Sequence, residues 1–195
     1  MKSLLRFVIF GLLAAQATGA VAASGYRYLN VPEVIQEHSN WCWAAVSVDV
    51  LRWYNANPSQ CAVANWALGR RDACGSTVFN WNSYANVTNG IYGGGGTIQG
   101  ILSNWGVPSS GSGYALSWNA VVGDVNNNRP FVMRFGWYSG GGHFLVGYGY
   151  DDRSGTQRVG YMNPWPGEGY TWSNYNWTVS AAYDHSWTHT LRMNR

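Results

Sequence analysis

Four residues able to do covalent acyl chemistry occur in one order along the chain: Gln36, Cys42, His143 and Asn163. Cys42 lies in the stretch Gln36-Glu37-His38-Ser39-Asn40-Trp41-Cys42-Trp43-Ala44-Ala45. Beyond it, Trp43, Val46, Val50, Leu51 and Tyr54 recur at helical spacing. A cysteine at a helix start meets unpaired backbone amides and the positive end of the macrodipole, which favour the thiolate. The thiolate is the form that attacks a carbonyl carbon, and a nearby imidazolium lowers its pKa further. Gln36, six positions upstream, can offer its amide beside the Cys42 backbone N–H to the oxygen that turns negative. His143 heads the run Phe144-Leu145-Val146-Gly147-Tyr148, and Asn163 opens Asn163-Pro164-Trp165, where it can hold the other ring nitrogen. Taken singly these residues say little. Cysteines are mostly packing residues, and Asn-Pro commonly opens a turn.

The elements that must position these groups fall into a helical half and a strand-rich half. Ser39 or Asn40 is expected to cap a helix over 41–54, and a second helix runs over 60–68 with Gly69 at its C-terminal cap. A looser stretch over 79–92 is expected to hold another turn or two of helix. The glycine run 93–96 precedes Thr97, which caps a short helix through Asn104 that Gly106 stops. Residues 111–113 read as the crossing between halves, and Ser117 caps a helix to about Val125. Residues 130–135, 143–150, 158–162 and 188–193 read as strands joined by glycine-rich turns. Helices first and an antiparallel sheet second make an α+β arrangement.

Composition narrows the setting. Lys2 and Arg6, an apolar run over 7–17 and Ala20-Val21-Ala22 form a secretory leader over 1–22, too short to span a bilayer. Its removal leaves ten basic against nine acidic residues in 23–195, so nothing resembles the basic field of a nucleic-acid binder. No lysine remains. The expected setting is extracellular or periplasmic, with no membrane association after cleavage, no metal or other cofactor, and a monomeric state. Cys61 and Cys74 lie thirteen apart and are expected to pair in an oxidising compartment, worth about 3 kcal/mol in the chain-entropy account. Pairing of Cys42 with either one is the alternative, and it would mask the nucleophile. His38 is expected to face solvent, and His185 and His189 have no motif around them. The glycine run lacks the Gly-Lys-Ser/Thr ending of a phosphate loop.

The order Gln, Cys, His, Asn resembles the papain-like cysteine peptidases, as do Trp43 after the cysteine and the Asn163-Pro164-Trp165 segment followed by Gly167-Glu168-Gly169-Tyr170. The resemblance implies a two-lobed fold, helical over about 30–115 and β over about 116–195, forming one peptidase domain over 23–195. It implies a Cys42-His143-Asn163 triad with Gln36 as oxyanion donor, and a substrate that is a peptide or protein. Gly95 and Gly96 fall where the family places a substrate-binding loop ahead of Trp105-Gly106-Val107; Gly142 and Trp165 would flank the substrate at the histidine. The histidine follows the cysteine by 101 residues and the asparagine by 121, shorter than in papain itself. The usual Cys-Gly-Ser-Cys block is Ser39-Asn40-Trp41-Cys42 here. These departures resemble the compact bacterial branch of bacteriocin-processing domains and plant-pathogen effector proteases. Two other functions remain open: a cell-wall amidase or endopeptidase, and a non-catalytic module holding glycans or peptides on its many Trp and Tyr rings.

Overall fold

The computed structural model describes residues 25–195, so the leader expected over 1–22 lies outside the described residues. Helices α1 (Cys42–Trp53), α2 (Gln60–Leu68), α3 (Ile98–Asn104) and α4 (Trp118–Asn126) come from the first two thirds of the chain, and a short α5 (Tyr175–Val179) comes late. The strands are β1 (Tyr26–Tyr28), β2 (Ser109–Ser112), β3 (Phe131–Trp137), β4 (His143–Asp151), β5 (Arg158–Asn163), β6 (Gly169–Asn174), β7 (Ser180–Ala181) and β8 (His185–Met193). They form one antiparallel sheet in the order β2-β8-β3-β4-β5-β6, with β1 pairing β4 and β7 pairing β8. The α+β expectation holds.

Helix α1 is the centre of the molecule. Residues 43–51 are all buried, and the helix packs against β4, α2 and α3. Its partner β4 is buried at every position from Phe144 to Tyr150, consistent with its continuous apolar sequence. On this helix Asp49 is fully buried and neither carboxylate oxygen has a partner. Burial therefore pushes its carboxyl well above the ordinary 3.8, towards the neutral acid. At the far edge Asp124 of α4 accepts a two-pronged guanidinium from Arg192 at 2.6 and 2.7 Å, tying α4 to β8.

Most elements lie where periodicity puts them. Helix α2 spans the expected residues, with the Ser59 hydroxyl accepting from the Ala62 N–H and Gly69 in the left-handed region at φ 62°. The departures have local causes. Neither Ser39 nor Asn40 caps α1; Trp41 stands at that position without a side-chain cap bond. Both are drawn away by Asn86, whose Oδ1 accepts from the Asn40 N–H while its amide donates to the Ser39 hydroxyl and the Trp81 carbonyl. For the same reason residues 79–92 hold no helix: their backbone serves the α1 start, with Trp41 and Trp43 indoles donating to the carbonyls of Ala85 and Val87. Residues 109–112 are a strand paired with β8. Together with β1 on β4, this brings two strands from the helical half into the sheet.

Candidate active site

Cys42 and His143 are the first residues of α1 and β4, and both line a cleft of about 380 Å³. Helix and strand pack together, so the two starts open at one end of the seam. Strands β4 and β5 are antiparallel, so the last residue of β5, Asn163, lies beside the start of β4. Its Oδ1 accepts from His143 Nε2 at 2.7 Å and from the Trp165 backbone N–H at 3.0 Å. The second bond fixes which end of the amide faces the ring. Trp137 stacks near-parallel to the imidazole with centroids 6.4 Å apart, and Trp165 meets it edge-on at 6.3 Å.

The electrostatics differ from the expectation of a ready-made thiolate. Burial pushes the Cys42 thiol up, and it is the largest influence there. The backbone N–H groups of Phe144, Trp43 and Cys42, then the charge of Arg134, pull it back down. The helix start therefore acts in the expected direction, but desolvation outweighs it. Burial likewise pushes His143 down, opposed by the bond to Asn163 and the negative charge of Glu168. Each shift taken alone favours a neutral thiol beside a neutral imidazole.

Gln36 is buried and is not part of the cleft lining. Its Nε2 donates to the carbonyls of His38 and Ser39 at 2.9 and 3.0 Å, which commits both amide protons, while Oε1 has no partner. Its own N–H bonds the Pro164 carbonyl at 2.8 Å, tying the loop before Cys42 to the turn after Asn163.

Gly142 and Trp165 line the cleft as expected. A Cβ on Gly142 would sit 2.5 Å from the Phe135 carbonyl and 2.6 Å from the Arg134 guanidinium, so only glycine fits there. Gly95 and Gly96 are elsewhere. A Cβ on Gly96 would meet the Ala67 carbonyl at 2.2 Å, so that glycine serves close packing on α2. Thr88, two residues beyond Asn86, occupies the cleft wall instead. His38 does not face solvent: it is buried against Trp41 and Trp81, with Nδ1 2.6 Å from the Val78 carbonyl. His185 is buried on the face of Phe135, and His189 lies against Tyr92.

Ser39, Asn40, Thr88, Trp137 and Glu168 complete the lining and were missed from sequence. Arg134 was missed too; it donates to the Gly141 carbonyl and the Thr188 hydroxyl, holding the loop that leads into His143. The signal for Glu168 lay only in its place within the turn after Asn163. Cys61 and Cys74 form a disulfide, and Cys42 is a free thiol. Among the described residues no cluster of His, Cys, Asp and Glu could hold a metal ion, and no helix is long and apolar enough to cross a membrane.

The Peptidase_C39 like family matches residues 28–192. Among solved structures, the peptidase domain of Streptococcus ComA, a bi-functional ABC transporter involved in a quorum sensing pathway, is similar in fold. Its TM-score is 0.55 at 12% identity, covering 85% of this chain and 99% of that one. UfSP from C. elegans is more distant, with a TM-score of 0.45 and 14% identity over 91% of this chain and 35% of that one. No curated protein matches the chain. The match across nearly all of the described residues makes the chain a member of the Peptidase_C39 like family, a papain-like cysteine peptidase acting on a peptide or protein.

Proposed function

We propose that the protein is an exported, monomeric endopeptidase that hydrolyses peptide bonds through Cys42, His143 and Asn163. The observation that carries this is the 2.7 Å bond from His143 Nε2 to Asn163 Oδ1, beside a free cysteine in the same cleft. An amide oxygen only accepts, so Nε2 holds the proton and Nδ1 is left as the base. In the reaction Nδ1 takes the Sγ proton as sulfur attacks the carbonyl carbon, whose oxygen takes up the displaced electron pair. Collapse of that adduct breaks the C–N bond, and the imidazolium gives its proton to the leaving amine. Water, deprotonated by the same Nδ1, then hydrolyses the thioester, releasing the acid and restoring the thiol.

Cys42→Ala should abolish turnover with circular dichroism unchanged, and His143→Ala should lose nearly as much, without the two effects adding. Asn163→Ala should cost less, because orientation is only partly lost. Steady-state rates on a cleaved peptide check this series, and an active Cys42→Ala variant would remove the basis of the mechanism.

The two shifts set a pH window. The singly protonated pair persists from the lowered His143 value to the raised Cys42 value. A bell-shaped kcat/KM profile should therefore have its acid limb below 6.5 and its alkaline limb above 9.0, the ordinary values of the two groups. An acid limb above 6.5 or an alkaline limb below 9.0 would contradict the two burial-driven shifts.

Gln36 is read as the second oxyanion donor beside the Cys42 N–H, which at the first helical position has no intrahelical carbonyl to bond. To act, its amide must exchange one loop carbonyl for the developing charge. Gln36→Ala should lower kcat by roughly 10²–10³-fold while alkylation of Cys42 by iodoacetamide stays fast. Loss of both rates together would instead assign Gln36 to holding the loop.

The leader and the disulfide support export. The intact mass of the protein recovered outside the producing cell should correspond to a chain beginning at about Ala23, with one disulfide and one alkylatable thiol.

A further inference from the structure

Glu168 is the one carboxylate on a cleft lining otherwise built from uncharged side chains and His143. It has no ion-pair partner among the described residues. It is held firmly by backbone: its N–H donates to the Trp165 carbonyl at 3.0 Å, and the flanking Gly167 and Gly169 adopt φ of 87° and 58°. On Gly169 a Cβ would lie 2.6 Å from the Glu33 carboxylate, so the turn has little freedom to rearrange with a larger residue there. Trp165, 43% exposed, and Glu168 thus form a rim with an apolar face and a negative charge on a backbone-anchored turn.

The mechanism tells which part of a substrate meets that rim. His143 must reach the leaving nitrogen, so the segment beginning with that nitrogen lies on the His143 side of the cleft. Asn163 holds the Nε2 edge of the ring, and the turn carrying Trp165 and Glu168 follows directly from Asn163. The acyl portion then lies towards Cys42, in a cleft whose lining also includes Thr88 and Asn40.

Resting on the proposed Cys42-His143 mechanism, we infer that Glu168 is a specificity-determining residue that selects a lysine or arginine immediately after the scissile bond. The long methylene stem of either side chain can lie along Trp165 while its cationic head reaches Glu168. An acidic residue at the same place meets like charge without a counter-ion, so selection works by repulsion as well as attraction.

The test begins with cleavage of a peptide library by the wild-type protein, which supplies a parent sequence. Its residue after the cleaved bond is then set to Lys, Arg, Gln or Glu. Lys and Arg should exceed Gln in kcat/KM by about two- to fivefold, the worth of a solvent-exposed ion pair, with Glu below Gln. The advantage should shrink as salt rises from 0.01 to about 1 M. Glu168→Gln should remove the Lys over Gln advantage, and Glu168→Lys should invert the Lys and Glu order. A wild-type preference indifferent to charge and salt would overturn the inference. So would a Glu168→Gln variant that slows every peptide equally and moves only the acid limb of the pH profile, since Glu168 would then act through His143 alone. Absence of any Cys42-dependent cleavage would instead defeat the underlying mechanism, so the two failures are distinguishable.

Discussion

The packing of α1 along β4 is the constraint on which the rest depends. Helix and strand both begin at the cleft, and the apolar surfaces between them are buried along almost their whole length. This shared origin brings Cys42 and His143 to one cleft across a separation of 101 residues. It also brings the Phe144 N–H to the sulfur, so a strand amide joins the helix amides there. The same burial that fixes the geometry removes water from both reacting groups. That is why their shifts run towards neutrality.

Around this seam the loop before Cys42 is stitched down from three directions. Gln60 of α2 clamps it, donating to the Ile35 carbonyl and accepting from the Glu37 N–H. Asn86 and the indoles of Trp41 and Trp43 bind it to residues 85–87. The Val78 and Phe79 carbonyls take up His38 Nδ1 and the Ser39 N–H. A loop that carries no regular structure of its own is thereby held through most of its backbone N–H groups. Thr88 reaches the cleft wall because residues 85–87 are pinned, not because of any glycine-rich turn.

Sequence conveys the apolar parts of this arrangement well and the polar parts poorly. The bounds of α2 and the start of β4 follow from periodicity and from Ser59, Gly69 and the run after His143, all of which act locally. The proposed Cys42, His143 and Asn163 set is visible in sequence because each residue sits at the terminus of such an element. Asn86 was not, since an asparagine amid turns carries no mark of the Asn40 and Ser39 groups it bonds from 46 and 47 residues away. His38 was misjudged for the same reason. Its burial depends on Trp41 and Trp81 closing over it, which no local pattern records. Gly95 and Gly96 show a positional likeness failing where three-dimensional packing decides. Gly96 fits against α2, and Thr88 from a neighbouring segment lines the cleft.

The three cysteines make opposite demands on their surroundings. Cys61 and Cys74 need conditions in which a disulfide persists, whereas the proposed role of Cys42 requires a free thiol. Oxidants and disulfides react with thiolate, so a cysteine that rested as an ion pair in an oxidising compartment would be prone to sulfenic acid or mixed disulfide formation. Desolvation at the start of α1 pushes the Cys42 thiol up, towards the less reactive protonated form, and the rings of Trp137 and Trp165 flank the His143 imidazole in the same cleft. In the proposed mechanism the nucleophile is thus generated when a carbonyl arrives to receive it. Burial that lowers its resting reactivity would lengthen its working life if the protein is exported, as proposed.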